Sequence, residues 1–86
     1  MTVNNPGVDQ AYTKTQGQYL AFIYYYTKIH KRPPAEADIA AYLGVSPPSV
    51  HGVVVTLEKR GLIARVPGRP RSIRVLLARA ELQDLD

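Results

Sequence analysis

Three observations predict a mainly α domain closed by a small β-hairpin. Capping signals and apolar spacing mark three helices between residues 13 and 60. After Gly61 the hydrophobic period changes from that of a helix to that of a strand. Two strand-like runs then flank the turn cluster Pro67-Gly68-Arg69-Pro70. The length of 86 residues suits one small domain, and 45% hydrophobic with 21% charged residues is a globular balance, not the apolar-poor composition of disorder. Residues 1–11 are expected to be a flexible N-terminal tail, 12–78 the folded domain, and 79–86 an acidic C-terminal tail.

The first helix opens at Thr13-Lys14-Thr15-Gln16, which fits a T-x-x-Q capping box: the Thr hydroxyl accepts an orphan N–H while Gln reaches back. Tyr19, Leu20, Ile23, Tyr26, Thr27 and His30 recur at helical spacing as one inward stripe, and Arg32-Pro33-Pro34 ends the helix. A second, short helix runs from Glu36 to Leu43 with Ile39, Ala40 and Leu43 inward, and stops at Gly44. Glu36 and Asp38 complement the positive end of its dipole. Ser46-Pro47 starts the third helix, a Ser cap followed by Pro in the first turn. Val50, Val53, Val54 and Leu57 form its inward face to about Arg60, and Gly61 ends it. The strand-like runs are Leu62–Val66 and Arg71–Leu77; in the second, Ile73, Val75 and Leu77 face the helices and Arg74 faces away.

Several functions are disfavoured by what the chain holds. Without Cys there is no disulfide or thiolate metal site. No apolar run approaches the roughly 20 residues of a membrane span, and the first seven residues have neither the basic region nor the apolar stretch of a signal peptide, so a cytoplasmic location is expected. A chain this short argues against a deep catalytic pocket. His30 and His51 sit on different helices, and Ser49 and His51 are i, i+2 and point apart. There is no H-x-x-x-H pair, phosphate loop or dinucleotide fingerprint. No catalysis, cofactor, metal, membrane or small-molecule ligand is expected.

The charge has a place. The formal net charge is +4, yet Glu58–Arg79 holds seven cations against one acid, a net of +6 in a quarter of the chain. Two helices joined by a tight turn with Gly at the bend make a helix-turn-helix, and a basic hairpin directly after it makes a winged one. In that arrangement the later helix can lie in the DNA major groove while the earlier one crosses the backbone. Double-stranded DNA is therefore the expected partner. The candidate contacts are Ser46, Pro48, Ser49, His51, Gly52, Val55, Lys59 and Arg60 on the third helix, with Arg65, Arg69, Arg71 and Arg74 on the wing. Pro47 and Pro48 lack N–H groups, so phosphate anchoring must lean on side chains. Ser49 and His51 can bond base edges or phosphates, and Val55 can touch a thymine methyl. Gly52 is either a tolerated helix defect or a place of close backbone approach.

The residues Tyr12-Thr13 with Gln16, Phe22-Ile23 with Tyr26, Pro33-Pro34, Glu36-Ala37-Asp38-Ile39-Ala40, Leu43-Gly44, Leu57–Ile63, Pro67-Gly68 and Arg71–Arg74 resemble the DNA-binding domain of the LexA repressor family. The resemblance covers about residues 12–77 and implies a winged helix-turn-helix that represses transcription. Members of that family carry a second domain with a Ser–Lys self-cleavage dyad; no counterpart is found in these 86 residues, so a stand-alone DNA-binding domain is expected. The family's usual Thr is replaced by Ala35, which removes a helix cap, and the turn into the third helix is one residue shorter. Gly68-Arg69-Pro70 is similar to the G-R-P core of AT-hook peptides, with Pro67 where those have Arg.

A protein–protein adaptor is the alternative. Tyr24 and Tyr25 fall off the inward stripe, and the tail through Leu82 and Leu85 has the spacing of a short amphipathic helix. The same features suit a homodimer, which a palindromic site would need.

Overall fold

The computed structural model describes residues 12–86; the expected flexible tail, 1–11, lies outside the described residues. Three helices, α1 (Lys14–His30), α2 (Glu36–Leu43) and α3 (Pro47–Lys59), precede a two-stranded antiparallel sheet of β1 (Ile63–Ala64) and β2 (Arg74–Val75). The capping box of α1 forms as expected: Gln16 N–H donates to Thr13 Oγ1 at 3.1 Å, and Thr13 N–H donates to Gln16 Oε1 at 3.0 Å. At α2 a methyl group stands where the forward half of a box would be, so only the reverse half exists, with Ala35 N–H donating to Asp38 Oδ2 at 2.9 Å. Ser46 caps α3 by accepting from Ser49 N–H at 3.3 Å. Gly44 turns the chain between α2 and α3 at φ 69°, a left-handed conformation that costs glycine little. The two helix axes bend by 113° across that break. Helix, turn, helix and hairpin together form a winged helix-turn-helix.

Leu20 and Ile23 of α1, Ile39 of α2, and Val50, Val54 and Leu57 of α3 are fully buried, and Leu62, Ile63 and Ile73 of the hairpin complete the core. The inward stripe of α1 differs from expectation at two places. Ala21 and Phe22 are also buried, because α1 is covered on a second side, where Phe22 stacks on Tyr42 of α2 at 4.5 Å. His30 is exposed; it lies past the last core turn, with its ring 4.1 Å from Tyr26.

The hairpin is shorter than the two apolar runs suggest. Register pairs Ile63 with Val75 and Ala64 with Arg74, and Leu76 N–H donates to Leu62 O at 3.0 Å. Beyond Ala64 the ladder stops. Pro67 and Pro70 offer no donor. The Val66 N–H is taken by Ser72 Oγ at 3.0 Å, and Arg71 adopts φ 56°. The tip Val66-Pro67-Gly68-Arg69 is closed by Arg69 N–H donating to Val66 O at 3.0 Å, with Gly68 at φ 76°. A left-handed third residue is the requirement of a type II turn, and proline is common at its second position.

The C-terminal segment does not form the amphipathic helix its leucine spacing allowed. A single 3₁₀ turn, Arg79–Glu81, is followed by extended chain that straps across α1. Tyr12 hydroxyl donates to Glu81 O at 2.6 Å. Gln18 holds the strap with both ends of its amide, donating from Nε2 to Asp84 O at 3.0 Å and accepting from Asp86 N–H at 2.9 Å. Gln83 Nε2 donates to Lys14 O and Tyr42 hydroxyl to Asp86 O. Leu82 and Leu85 pack on the core. Gly17 makes the crossing close, since a Cβ there would collide with the Gln83 side chain and the Tyr12 ring. These backbone bonds consume the strap's polar groups, so a helix would have to break them. Tyr12→Phe should therefore lower unfolding stability by about 1 kcal/mol, the net worth of one hydrogen bond, as measured by chemical denaturation.

Candidate nucleic-acid interface

The outward surface of α3 is built by the same spacing that buries Val50, Val54 and Leu57 on the opposite side. Pro48, Ser49, His51 and Gly52 are exposed along it, and Lys59 and Arg60 are exposed at its C-terminal end. Val55 lies half-buried at the edge of this face. At the N-terminal end the Ser46 and Ser49 hydroxyls bond each other at 2.9 Å, and Ser46 Oγ occupies the Ser49 N–H. With Pro47 and Pro48 lacking N–H groups, the first turn offers side-chain hydroxyls rather than a backbone donor array. Around Gly52 there is open space, and nothing in the domain would touch an added Cβ. The packing of the monomer does not require a glycine there.

The wing cations divide into groups. A cleft of about 220 Å³ between the start of α2 and the wing is lined by Glu36, Arg65, Arg69, Arg71 and neighbouring apolar residues. Two of those arginines are held within the domain. Arg65 Nε donates to Glu58 Oε1 at 3.0 Å, and Arg71 Nη1 donates to Asp38 Oδ2 at 2.9 Å and to Tyr26 hydroxyl at 3.2 Å. Arg69, at the turn, is exposed and forms no ion pair among the described residues. Arg74 is also exposed; it lines one groove with Tyr24, Thr27 and Lys28 of α1 and another with Arg65, Val66 and Ser72 of the wing. Arg60 Nη1 donates to Gln16 Oε1 at 3.3 Å, so it bridges α3 to the start of α1. The structure thus brings Arg65, Arg69 and Arg71 together in one cleft, while Arg74 neighbours Arg65 on one side and α1 on the other.

The Asp38 carboxyl lies below its usual titration range. The Ala35 N–H is the largest cause and the Arg71 guanidinium the next favourable one, while partial burial opposes both. The interaction with Tyr26 and the Asp38 charge raise Arg71 in turn.

The sequence profile of the LexA DNA binding domain matches residues 9–72 of this chain. The LexA repressor of Exiguobacterium sibiricum is 40% identical over 70 residues, which is 80% of this chain and 34% of the relative. That of Ligilactobacillus salivarius is 38% identical over 72 residues, 83% of this chain and 35% of the relative. That of Caldicellulosiruptor saccharolyticus is 40% identical over 65 residues, 74% of this chain and 32% of the relative. The chain belongs to the LexA DNA-binding-domain family. It spans about a third of the length of these curated relatives.

Two features of this LexA-type domain were not legible as site residues. Glu36 lies 3.3 Å from His51 across the two helices of the motif. Thr56 is exposed on α3, where its Oγ1 donates to Gly52 O at 3.0 Å. Glu36 reads in sequence only as a first-turn acid, and its partner is 15 residues away, so no local pattern announces the pair. The features that suggested an adaptor are largely engaged within the monomer. Tyr24 and Tyr25 are half-buried and meet edge to face at 5.2 Å. Arg79 lies 5.9 Å from the Tyr25 ring, and the tail leucines pack inward. Among the described residues no single helix is long and apolar enough to cross a membrane.

Asp38 gives the domain a defined acid sensitivity. A carboxyl depressed on folding contributes stability that is complete above its unfolded pKa and is lost as pH falls through its lower folded value. Asp38→Asn should therefore lower the melting temperature at neutral pH and flatten its decline below about pH 4, the ordinary aspartate range. Thermal unfolding of both proteins across that range is the measurement.

Proposed function

We propose that this chain binds double-stranded DNA and regulates transcription as a repressor, with α3 in the major groove and the wing on the backbone or in the minor groove. The observation that carries the reading is the outward face of α3. It is exposed and leaves Gly52 open, with Lys59 and Arg60 at its C-terminal end. An interior role for that face has no support, because the opposite face of the same helix already supplies the core. Family membership supports the partner class, since the matched profile is that of a DNA-binding domain and the matched relatives are named repressors. Two copies on a two-fold site, within the cytoplasm, fit this mode of binding.

The roles divide by environment. Ser49 and His51 are the base-edge or phosphate candidates, Ser46 and Pro48 shape the first turn, and Val55 at the edge of the face is the thymine-methyl candidate. Lys59, Arg60 and Arg69 anchor phosphates. Arg65 and Arg71 act mainly by holding the wing, with their remaining donor groups toward the cleft. Arg74, between Arg65 and α1, is a further backbone candidate.

Two substitutions separate binding from folding. Arg69→Ala should leave stability unchanged and reduce the magnitude of the slope of log K against log salt by about 1, one phosphate contact; fluorescence anisotropy on a duplex over a salt series measures it. A slope identical to that of the parent would remove Arg69 from the contact set. Gly52→Ala should stabilise the fold by up to about 1 kcal/mol, because alanine is the better helix former. The same variant should bind duplex more weakly, because a methyl group stands where the backbone must approach. Denaturation and anisotropy on one preparation decide it.

A further inference from the structure

We propose that Glu36 is a positioning residue that fixes the ring proton of His51, and thereby sets which base edge α3 accepts. The inference rests on the duplex-binding reading above. It starts from one contact: His51 Nδ1 lies 3.3 Å from Glu36 Oε2, and the two side chains are 58% and 33% exposed. Glu36 opens α2 and His51 stands in the second turn of α3, so the contact spans the two halves of the helix-turn-helix.

A carboxylate only accepts hydrogen bonds, so the ring nitrogen facing it must be the N–H donor. A neutral imidazole carries one N–H. With Nδ1 protonated toward Glu36, Nε2 is left as a lone-pair acceptor on an exposed ring. The donors offered by base pairs in the major groove are the N4 amino group of cytosine and the N6 amino group of adenine. Neutral His51 therefore favours those two bases at the position it meets. Protonation makes both ring nitrogens donors, and the outward nitrogen then matches guanine O6 and N7 instead.

The charged groups around the pair leave this assignment intact. From the wing, Arg65, Arg69 and Arg71 share the cleft with Glu36. Arg65 is bound to Glu58 and Arg71 to Asp38, which leaves Arg69 as the cleft arginine with no ion pair among the described residues. On α3 the adjoining turn presents the Ser46 and Ser49 hydroxyls, which bond each other. No second carboxylate is paired with His51 among the described residues.

The first test needs no DNA. Nitrogen-15 spectra of the free chain at about pH 8, the upper end of the range in which histidine changes charge, should show His51 protonated at Nδ1 and bare at Nε2. Glu36→Ala should shift the ring toward the other tautomer. A wild-type ring protonated at Nε2, or one indifferent to the substitution, overturns the proposal. The second test is selection from a random duplex pool at about pH 8. Wild type should prefer cytosine or adenine at one position. Glu36→Ala and His51→Ala should each weaken that preference by about threefold to tenfold, the worth of one net hydrogen bond. Duplex binding with an unaltered base profile in the variants overturns this inference alone. Absence of salt-sensitive duplex binding by wild type overturns the duplex-binding reading, and the base assignment with it.

Discussion

One carboxylate joins the three parts of this domain. Asp38 Oδ2 accepts from the Ala35 N–H and from Arg71 Nη1, each at 2.9 Å, and Arg71 also reaches the Tyr26 hydroxyl. The beginning of α2, the wing and the C-terminal part of α1 therefore meet at one point. With alanine at the cap position, α2 has no side-chain cap of its own and relies on the reverse bond from Asp38. The wing depends on the same group, because its two-residue strands are too short to hold a fixed angle alone. Arg71 sits at φ 56°, an uncommon conformation for a residue with a side chain, and the two hydrogen bonds of its guanidinium help hold it there. Placement of the hairpin beside the helix-turn-helix follows from this node together with the burial of Ile73.

That arrangement changes the meaning of the basic cluster. In sequence, the seven cations between residues 58 and 79 look alike. In space they have different tasks. Arg65 and Arg71 are tied to acids on α3 and α2, Arg79 lies beside the Tyr25 ring, and Arg74 borders α1. An exposed ion pair adds little to stability, but a half-buried arginine in a fixed fork fixes geometry. Much of the positive charge therefore builds the wing, and a smaller part, centred on Lys59 and Arg69, projects beyond it.

The helices were legible because their signals are local. Thr13 with Gln16, Ser46 with Pro47, Gly44 and the valines of α3 each act within a turn or two of chain, and the structure places each as its chemistry dictates. Alternation along Ile73, Arg74 and Val75 also gave the correct faces, although not the strand lengths. Strand length is set by pairing, and Ser72 Oγ removed a pairing group in a way that no alternation pattern reports. His30 kept helical spacing beyond the point where a neighbour was available to cover it. The bonds of Gln18 to residues 84 and 86, and of Glu36 to His51, join polar groups distant in the chain. Polar side chains carry no periodic signature of their partners, so these were out of reach.

The strap has a mechanical consequence. Tyr12 and Glu81 are 69 positions apart, yet one hydrogen bond joins them, and Gln18 grips residues 84 and 86 beside it. Closing so long a loop costs entropy that only an assembled α1 can offset, so this seam belongs among the late-forming and early-opening parts of the molecule. Tension between the two ends would be borne by the seam before it reached Leu20 or Leu57. The two extremities of the domain thus clasp each other over α1, and with Tyr12 in the core and Leu82 and Leu85 packed on it, parting the clasp would lay apolar surface open to water.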